Sequence, residues 1–173
     1  VKEGHFAAYL WEGEAAPDLR RDSGRPLRLI LKLDATSNVH YGGGLAFGPD
    51  GYLYVGTGDG TATGSQAPDA KSLGGKILRI TTAGKAAPGN PVANSPVWAS
   101  GFHNVQGMAW DSSKRMYASE SNQKAYGELN LIKKGGNYGY PRVDGVGSAA
   151  KLTNPLVSWP TASSSCAGVA VLE

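Results

Sequence analysis

The chain has 173 residues, 40% of them hydrophobic and 18% charged, which is typical of a folded globular protein and not of a disordered one. Its net charge of +3 comes from scattered basic residues without a basic stripe, so we expect no nucleic-acid partner. No apolar run approaches the roughly 20 residues of a membrane span. The single cysteine, Cys166, excludes an internal disulfide, and we expect it to be a small buried side chain.

The chain has 25 glycines and 10 prolines, which interrupt regular structure so often that we expect no long helices. Short apolar segments bounded by turn residues lie between them and predict β-strands. In chain order these segments are 29–33, 45–47, 53–55, 76–80 and 129–132. Pro49-Asp50-Gly51 predicts a turn that joins the second and third segments as a hairpin, because proline fixes φ and glycine accepts a positive φ. The sequence therefore predicts an all-β fold.

An internal repeat extends this prediction. The pair of segments 44–47 and 53–55 recurs as 107–110 and 116–118 with the same spacing, and a third copy begins at 168–171. A period of about 60 residues fits a four-stranded blade that carries loop insertions. We therefore expect a β-propeller of four-stranded antiparallel blades, with blade repeats near 29–100 and 101–165 and a third starting near 166.

The repeat also bears on how much of a ring the chain can form. A blade buries its two faces only against neighbouring blades, and the ring closes only when all blades are present. Two blades and a fraction leave apolar faces and sheet edges uncovered. We expect residues 1–173 to form a single partial propeller domain, an incomplete arc of the ring.

Five sequence blocks follow one another between Leu29 and Pro141. They are 40–60, 72–80, 90–91, 101–110, and 119–120 with 128–132 and 135–141. In this order they resemble the soluble, quinone-dependent glucose/sorbosone dehydrogenase family. The resemblance implies a six-bladed propeller that binds pyrroloquinoline quinone (PQQ) and Ca²⁺ at the mouth of its central channel. It also implies oxidation of an aldose sugar or a related polyol or aldehyde, an external electron acceptor, and a periplasmic or secreted location.

The resemblance implies that His40 is the general base that takes the proton of the substrate hydroxyl while hydride passes to the quinone. Imidazole suits this role because its unperturbed pKa lies near neutral pH. His40 comes just before three consecutive glycines, on a loop where backbone can approach a flat cofactor. The alternative interpretation is a histidine with only a structural role.

Cofactor contacts are implied at His103, Asn104 and Gln106. The family usually carries arginine where His103 stands, so a permanent cation is replaced by a titratable ring. Alternatively, His103 and Asn104 only hold the turn into the inner strand. Backbone carbonyls at Asn122 and Gln123 are the expected ligands of Ca²⁺, which prefers oxygen.

Two other functions stay open. One is a non-catalytic propeller that serves as a binding or scaffold module after losing the cofactor. The other is a Ca²⁺-dependent, lactonase-like hydrolase in which Glu120 and Asn104 hold the metal. Asp59 follows a strand in a glycine-rich turn, where the usual purpose of an aspartate is a bond to nearby backbone, so we interpret it as structural.

Overall fold

In the computed structural model, residues 6–16, 18, 23–61, 63–122, 126–161 and 166–172 are described. Every regular element among them is a β-strand. The strands are β1 (Phe6–Glu12), β2 (Arg28–Ala35), β3 (Leu45–Phe47), β4 (Leu53–Gly56), β5 (Lys76–Ile80), β6 (Val97–Ser100), β7 (Val105–Trp110), β8 (Met116–Glu120), β9 (Tyr126–Ile132) and β10 (Val157–Pro160). Within these described ranges, no helix is long and apolar enough to cross a membrane.

The strands form three antiparallel sheets. Strands β3 to β6 make one four-stranded sheet, and β7 to β10 make a second, each with its strands side by side in chain order. Strands β1 and β2 pair only with each other. This arrangement confirms the predicted all-β fold of four-stranded antiparallel sheets.

The two repeated hairpins begin the two four-stranded sheets. In the first, Leu45 pairs with Val55, and the predicted turn is confirmed, with Gly51 at a φ of 78°. In the second, Met108 pairs with Ala118, and Lys114 takes a φ of 61° at the position equivalent to Gly51. Both turns therefore use one left-handed residue at the same place.

Two clusters of apolar side chains lie on opposite faces of the first four-stranded sheet. Neighbouring residues of β4 and β5 alternate between them, as Ile77 and Leu78 do. One cluster joins this sheet to the second through residues such as Val105 and Met116, and the other joins it to β1 and β2. The first sheet is therefore covered on both faces, and all five residues of β5 are buried.

The chain near Cys166 differs from the prediction. Cys166 is half-buried and not fully buried, because it lies in the largely exposed segment 166–172, whose Gly168 and Val169 lie near Gly107 of β7. No strand is assigned in this described segment, where the third repeat was expected. The boundaries of the blade repeats stay predictions.

Candidate functional site

His40 lies in the loop between β2 and β3, where its backbone has a φ of 60°. The loop is held against the end of the β4 segment, because Gly60 N–H donates to the His40 carbonyl (3.0 Å) and Thr36 N–H donates to the Gly60 carbonyl (2.9 Å). Glycine is the residue that most readily adopts such a φ, so a histidine here carries local strain. These backbone bonds fix the direction in which the half-buried ring points.

The ring of His103 lies against that of His40, with ring centroids 4.1 Å apart and planes tilted by 59°. His103 is only 4% exposed, and its backbone N–H donates to Glu120 Oε2 (2.7 Å). Its Nδ1 lies 2.9 Å from the carbonyl oxygen of Ser121. Because a carbonyl only accepts, Nδ1 carries the hydrogen and Nε2 carries the lone pair. Burial lowers the pKa of His103 to about 4, so the ring is neutral at pH 7.

Asp59 lies beside the two histidines. From the sequence it was interpreted as a structural turn residue and was not placed in the site. Its side chain is fully buried, with Oδ1 3.4 Å from His40 Nδ1 and Oδ2 accepting a hydrogen bond from Thr61 Oγ1 (3.1 Å). Burial raises the pKa of Asp59, while the Thr61 bond and the charge of His40 act in the opposite direction. Among the described residues, neither ring nitrogen of His40 nor Asp59 Oδ1 has a hydrogen-bond partner.

Asn104 and Gln106 lie on the second sheet, facing the His40 loop. Asn104 Oδ1 accepts the backbone N–H of Gly42 (2.8 Å), so the amide turns its nitrogen end away from that loop. Gln106 Oε1 is buried and has no hydrogen-bond partner within the described ranges. The structure therefore brings three predicted residues, His40, His103 and Asn104, to one place, and leaves Gln106 with an unsatisfied acceptor on the adjoining strand.

Asn122, predicted to ligate Ca²⁺, lines the same small cavity as His103 and Glu120. Its side chain is buried and its amide nitrogen donates to the carboxylate of Asp144. Gln123, the other predicted ligand, lies outside the described residues. The Ca²⁺ site at these two positions stays a prediction.

A group of buried acids lies beside Asn122. Glu120 Oε1 and Glu128 Oε2 both accept from Asn130 Nδ2, at 3.1 and 3.2 Å. Burial and the nearby carboxylate of Glu128 raise the pKa of Glu120 well above its ordinary value. Burial raises the pKa of Asp144 to about 6. Protonation of one of these acids would lower their mutual repulsion.

This arrangement disfavours the lactonase-like interpretation. That interpretation needs Glu120 and Asn104 to offer oxygens to one metal ion. Glu120 instead accepts bonds from His103 N–H and Asn130, and Asn104 Oδ1 accepts from Gly42 N–H. These side-chain oxygens already serve the protein's own hydrogen bonds.

The pairing of His40 with Asp59 supports proton transfer. An imidazole beside a buried carboxylate can be held in one tautomer, with Nδ1–H toward the carboxylate and Nε2 as the base. The fold consists of four-stranded antiparallel sheets set side by side, which is the arrangement of a propeller-type protein. The polar group lies where the segments that connect the strands of the two sheets meet.

The chain belongs to the glucose/sorbosone dehydrogenase family, whose model, described as Glucose / Sorbosone dehydrogenase, matches residues 20–172. It is similar to the aldose sugar dehydrogenase YliI of Escherichia coli K12, with 34% identity over 147 residues that cover 80% of this chain and 39% of the relative. It is also similar to quinoprotein glucose dehydrogenase B of Acinetobacter calcoaceticus, with 30% identity over 142 residues that cover 70% of this chain and 30% of the relative.

Among solved structures, the PQQ-bound form of aldose sugar dehydrogenase from Streptomyces coelicolor superposes with a TM-score of 0.84 at 37% identity. The match covers 96% of this chain and 52% of that one. The present chain thus spans about half the length of that structure and between a quarter and two fifths of the curated relatives above. The two four-stranded sheets are accordingly an arc of a β-propeller.

Proposed function

We propose that this chain carries the catalytic base of a PQQ-dependent sugar dehydrogenase, which oxidises an aldose or a related polyol or aldehyde. The observation that carries the proposal is His40 itself. Its two ring nitrogens lack hydrogen-bond partners among the described residues, and its Nδ1 lies 3.4 Å from the buried Asp59 Oδ1. An imidazole held in this way is suited to take a proton from a substrate hydroxyl.

The residues around His40 fit the quinone end of such a cofactor. The Asn104 amide can donate to a carbonyl oxygen through its nitrogen, whereas Gln106 Oε1, a buried acceptor without a partner in the described part, would need a donor group on the cofactor. A Cβ built on Gly43 meets no atom within 4 Å, so a flat group could approach the backbone there. His103 is neutral and supplies no permanent cation for the cofactor's carboxylates.

The proposed mechanism assigns one task to each side chain. When bound, the quinone would accept the hydride that leaves the substrate carbon. His40 Nε2 takes the hydroxyl proton as the carbon–oxygen double bond forms, and Asp59 keeps Nδ1–H directed toward itself. Asn104 positions the His40 loop through its bond to Gly42. Ca²⁺ at Asn122 and Gln123, like the periplasmic or secreted location, belongs to this proposal as a prediction.

Dye-coupled assays test the proposal. The full-length natural protein would be reconstituted with PQQ and Ca²⁺ and supplied with aldoses and a redox dye. Removing a general base typically costs about 10²- to 10⁴-fold in rate, so His40→Ala should lose that much of kcat while still binding PQQ. His5→Ala is the matched control, because His5 lies outside the five sequence blocks that resemble the family, and it should keep full activity.

Three results would contradict the proposal. Wild-type protein that folds but neither binds PQQ in a titration nor reduces the dye would favour the scaffold function. Lactone hydrolysis without any dye would favour the hydrolase. Unchanged kcat in His40→Ala would remove this histidine from the mechanism.

A further inference from the structure

We propose that His40, Asp59 and His103 together form a binding site for a divalent transition-metal ion such as Zn²⁺. Each residue offers one ligand atom, and these atoms lie within 4.8 Å of one another. Two imidazoles and one carboxylate are a donor set that first-row transition metals prefer, whereas Ca²⁺ prefers oxygen ligands alone. The inference concerns metal binding and does not depend on the proposed sugar oxidation.

The distances are close to those of a metal site. Ligand atoms around a tetrahedral zinc ion, with bonds of roughly 2.0–2.2 Å, stand about 3.3–3.5 Å apart. His40 Nδ1 and Asp59 Oδ1 are already 3.4 Å apart. The ligand atom of His103 lies within 4.8 Å of those of His40 and Asp59.

His103 has the outer contact that metal-binding histidines usually have. Such a histidine generally donates its other ring N–H to a carbonyl or carboxylate, which fixes the tautomer and the ring orientation. Here Nδ1–H donates to the Ser121 carbonyl (2.9 Å), so Nε2 is the atom with the available lone pair.

Unsatisfied atoms in the same place supply the second argument. Asp59 is fully buried, and its Oδ1 has no hydrogen-bond partner in the described part of the chain; the same holds for both ring nitrogens of His40. A buried polar atom without a partner costs about 1–3 kcal/mol. One cation bound by Asp59 Oδ1, one ring nitrogen of His40 and Nε2 of His103 would satisfy the carboxylate oxygen and one of the two His40 nitrogens.

Direct binding measurements on the cofactor-free, full-length natural protein test the site. Titration calorimetry with Zn²⁺ should give one bound ion per chain, and Co²⁺ should give the visible absorption of a low-coordinate site. His103→Arg replaces a ligand by a cation that has no lone pair to offer, and Asp59→Asn removes the negative ligand. Loss of an outer contact costs about 10- to 100-fold in affinity, so each of these ligand changes should cost at least that.

The controls separate this site from adventitious binding and from misfolding. His5→Ala should bind Zn²⁺ like the wild type. Zn²⁺ should raise the Tm of the wild type and of His5→Ala but not that of His103→Arg. If His103→Arg keeps a cooperative melt and still binds Zn²⁺ with wild-type affinity, or if the wild type binds none, the proposal is wrong. Neither result depends on dehydrogenase activity.

Discussion

The two four-stranded sheets have the same strand order and pairing, yet they bury charges of opposite sign at the same position. Their registers make Lys76 of β5 equivalent to Glu128 of β9. Both side chains are buried, with 1% and 5% of their surface exposed. The repeat therefore keeps the same strand pairing even though one equivalent buried position holds a basic residue in one sheet and an acidic residue in the other.

Each sheet compensates its buried charge with a different local structure. Lys76 Nζ donates to the carbonyls of Gln66, Ala67 and Gly74 at 2.8, 2.9 and 2.7 Å, all in the loop before β5. Glu128 accepts from Gly145 N–H (2.6 Å) in the chain after β9. The comparison teaches that strand pairing is set by turns and apolar residues, while connecting loops adapt to whichever charge is buried.

The largest expected effect is that of Lys76→Met, which leaves three buried carbonyls without their donor. Each unsatisfied group costs about 1–3 kcal/mol, so the free energy of unfolding should fall by about 3 kcal/mol or more. Urea denaturation measures it, with Lys71→Met, an exposed lysine in the same loop, as a control expected to stay within about 0.5 kcal/mol. Equal midpoints for the two variants would mean that the loop does not depend on the buried ammonium.

The arginines of the two sheets should differ almost as much. Arg79 donates to Asp50 (2.8 Å) and the Pro88 carbonyl (2.9 Å) with its side chain 8% exposed, whereas Arg115, 62% exposed, donates to Asp111 (2.5 Å). We expect Arg79→Ala to lower the free energy of unfolding by about 2–3 kcal/mol and Arg115→Ala to lower it far less, because solvent screens the exposed Arg115 pair. If thermal or urea melts show similar losses of stability for the two variants, the buried and the exposed arginine contribute equally and the prediction is wrong.

The buried acids of the second sheet and the buried Lys76 of the first predict opposite pH dependences of the free energy of unfolding. The pKa of Glu120 is higher in the folded state than in the unfolded one, so the folded state binds more protons above about pH 4.5 and its stability falls as pH rises. Lys76 has a folded pKa of about 8 against an ordinary value of 10.5, so stability should rise as pH rises between these values. Urea midpoints measured from pH 4 to 10.5 should show both trends.

Single substitutions assign each trend to its sheet. Glu128→Gln removes a carboxylate that helps raise the pKa of Glu120, and it should make the fall in stability on the acid side less steep. Lys76→Met should abolish the rise above pH 8 and leave the acid side unchanged. A variant that altered both trends would show that the two sheets titrate as one unit.

The smallest expected effects come from the equivalent turn residues. Gly51→Ala places a Cβ where no atom lies within 4 Å, so only the left-handed backbone is penalised, by about 1 kcal/mol. Lys114→Gly relieves the same strain, but the more flexible unfolded chain offsets it, so stability should change by less than about 1 kcal/mol. A stability loss in Lys114→Gly larger than that in Gly51→Ala, measured by urea midpoints, would contradict the equivalence of the two turns.

The sequence could predict the hairpins because their signals are local. The turn at Gly51 and the apolar residues of β4 and β5 lie within a few residues of each other, and these strands were placed correctly. Strands β1, β6 and β10 were not predicted. Strand β10 ends at Pro160 and β6 has no alternating apolar pattern, so only pairing with a neighbouring strand identifies them as β-structure.

The site could be predicted only in part, for a similar reason. The family resemblance pointed to His40, His103 and Asn104, and the structure places these three together. Asp59 was taken for a structural turn residue, because in a glycine-rich segment an aspartate usually bonds to its own backbone. Asp59 lies beside His40 because the backbone of Gly60 is hydrogen-bonded to His40 and Thr36. Gly60 is more than 18 positions from both residues in the sequence, so a local sequence pattern does not reveal the contact. The catalytic and cofactor-binding roles stay predictions.

Gly58 lies where the two sheets are joined: it forms an antiparallel bridge with Asn104, and the next N–H, of Asp59, donates to the His103 carbonyl (2.8 Å). A Cβ at this position would overlap the His40 carbonyl and approach the Asn104 side chain. A single added methyl group would therefore force the His40 backbone or the Asn104 side chain to shift. The packing of the His40 loop against the second sheet thus requires a residue without a side chain at position 58. We expect a substitution of Gly58 to disturb the site more than substitutions in its outer loops.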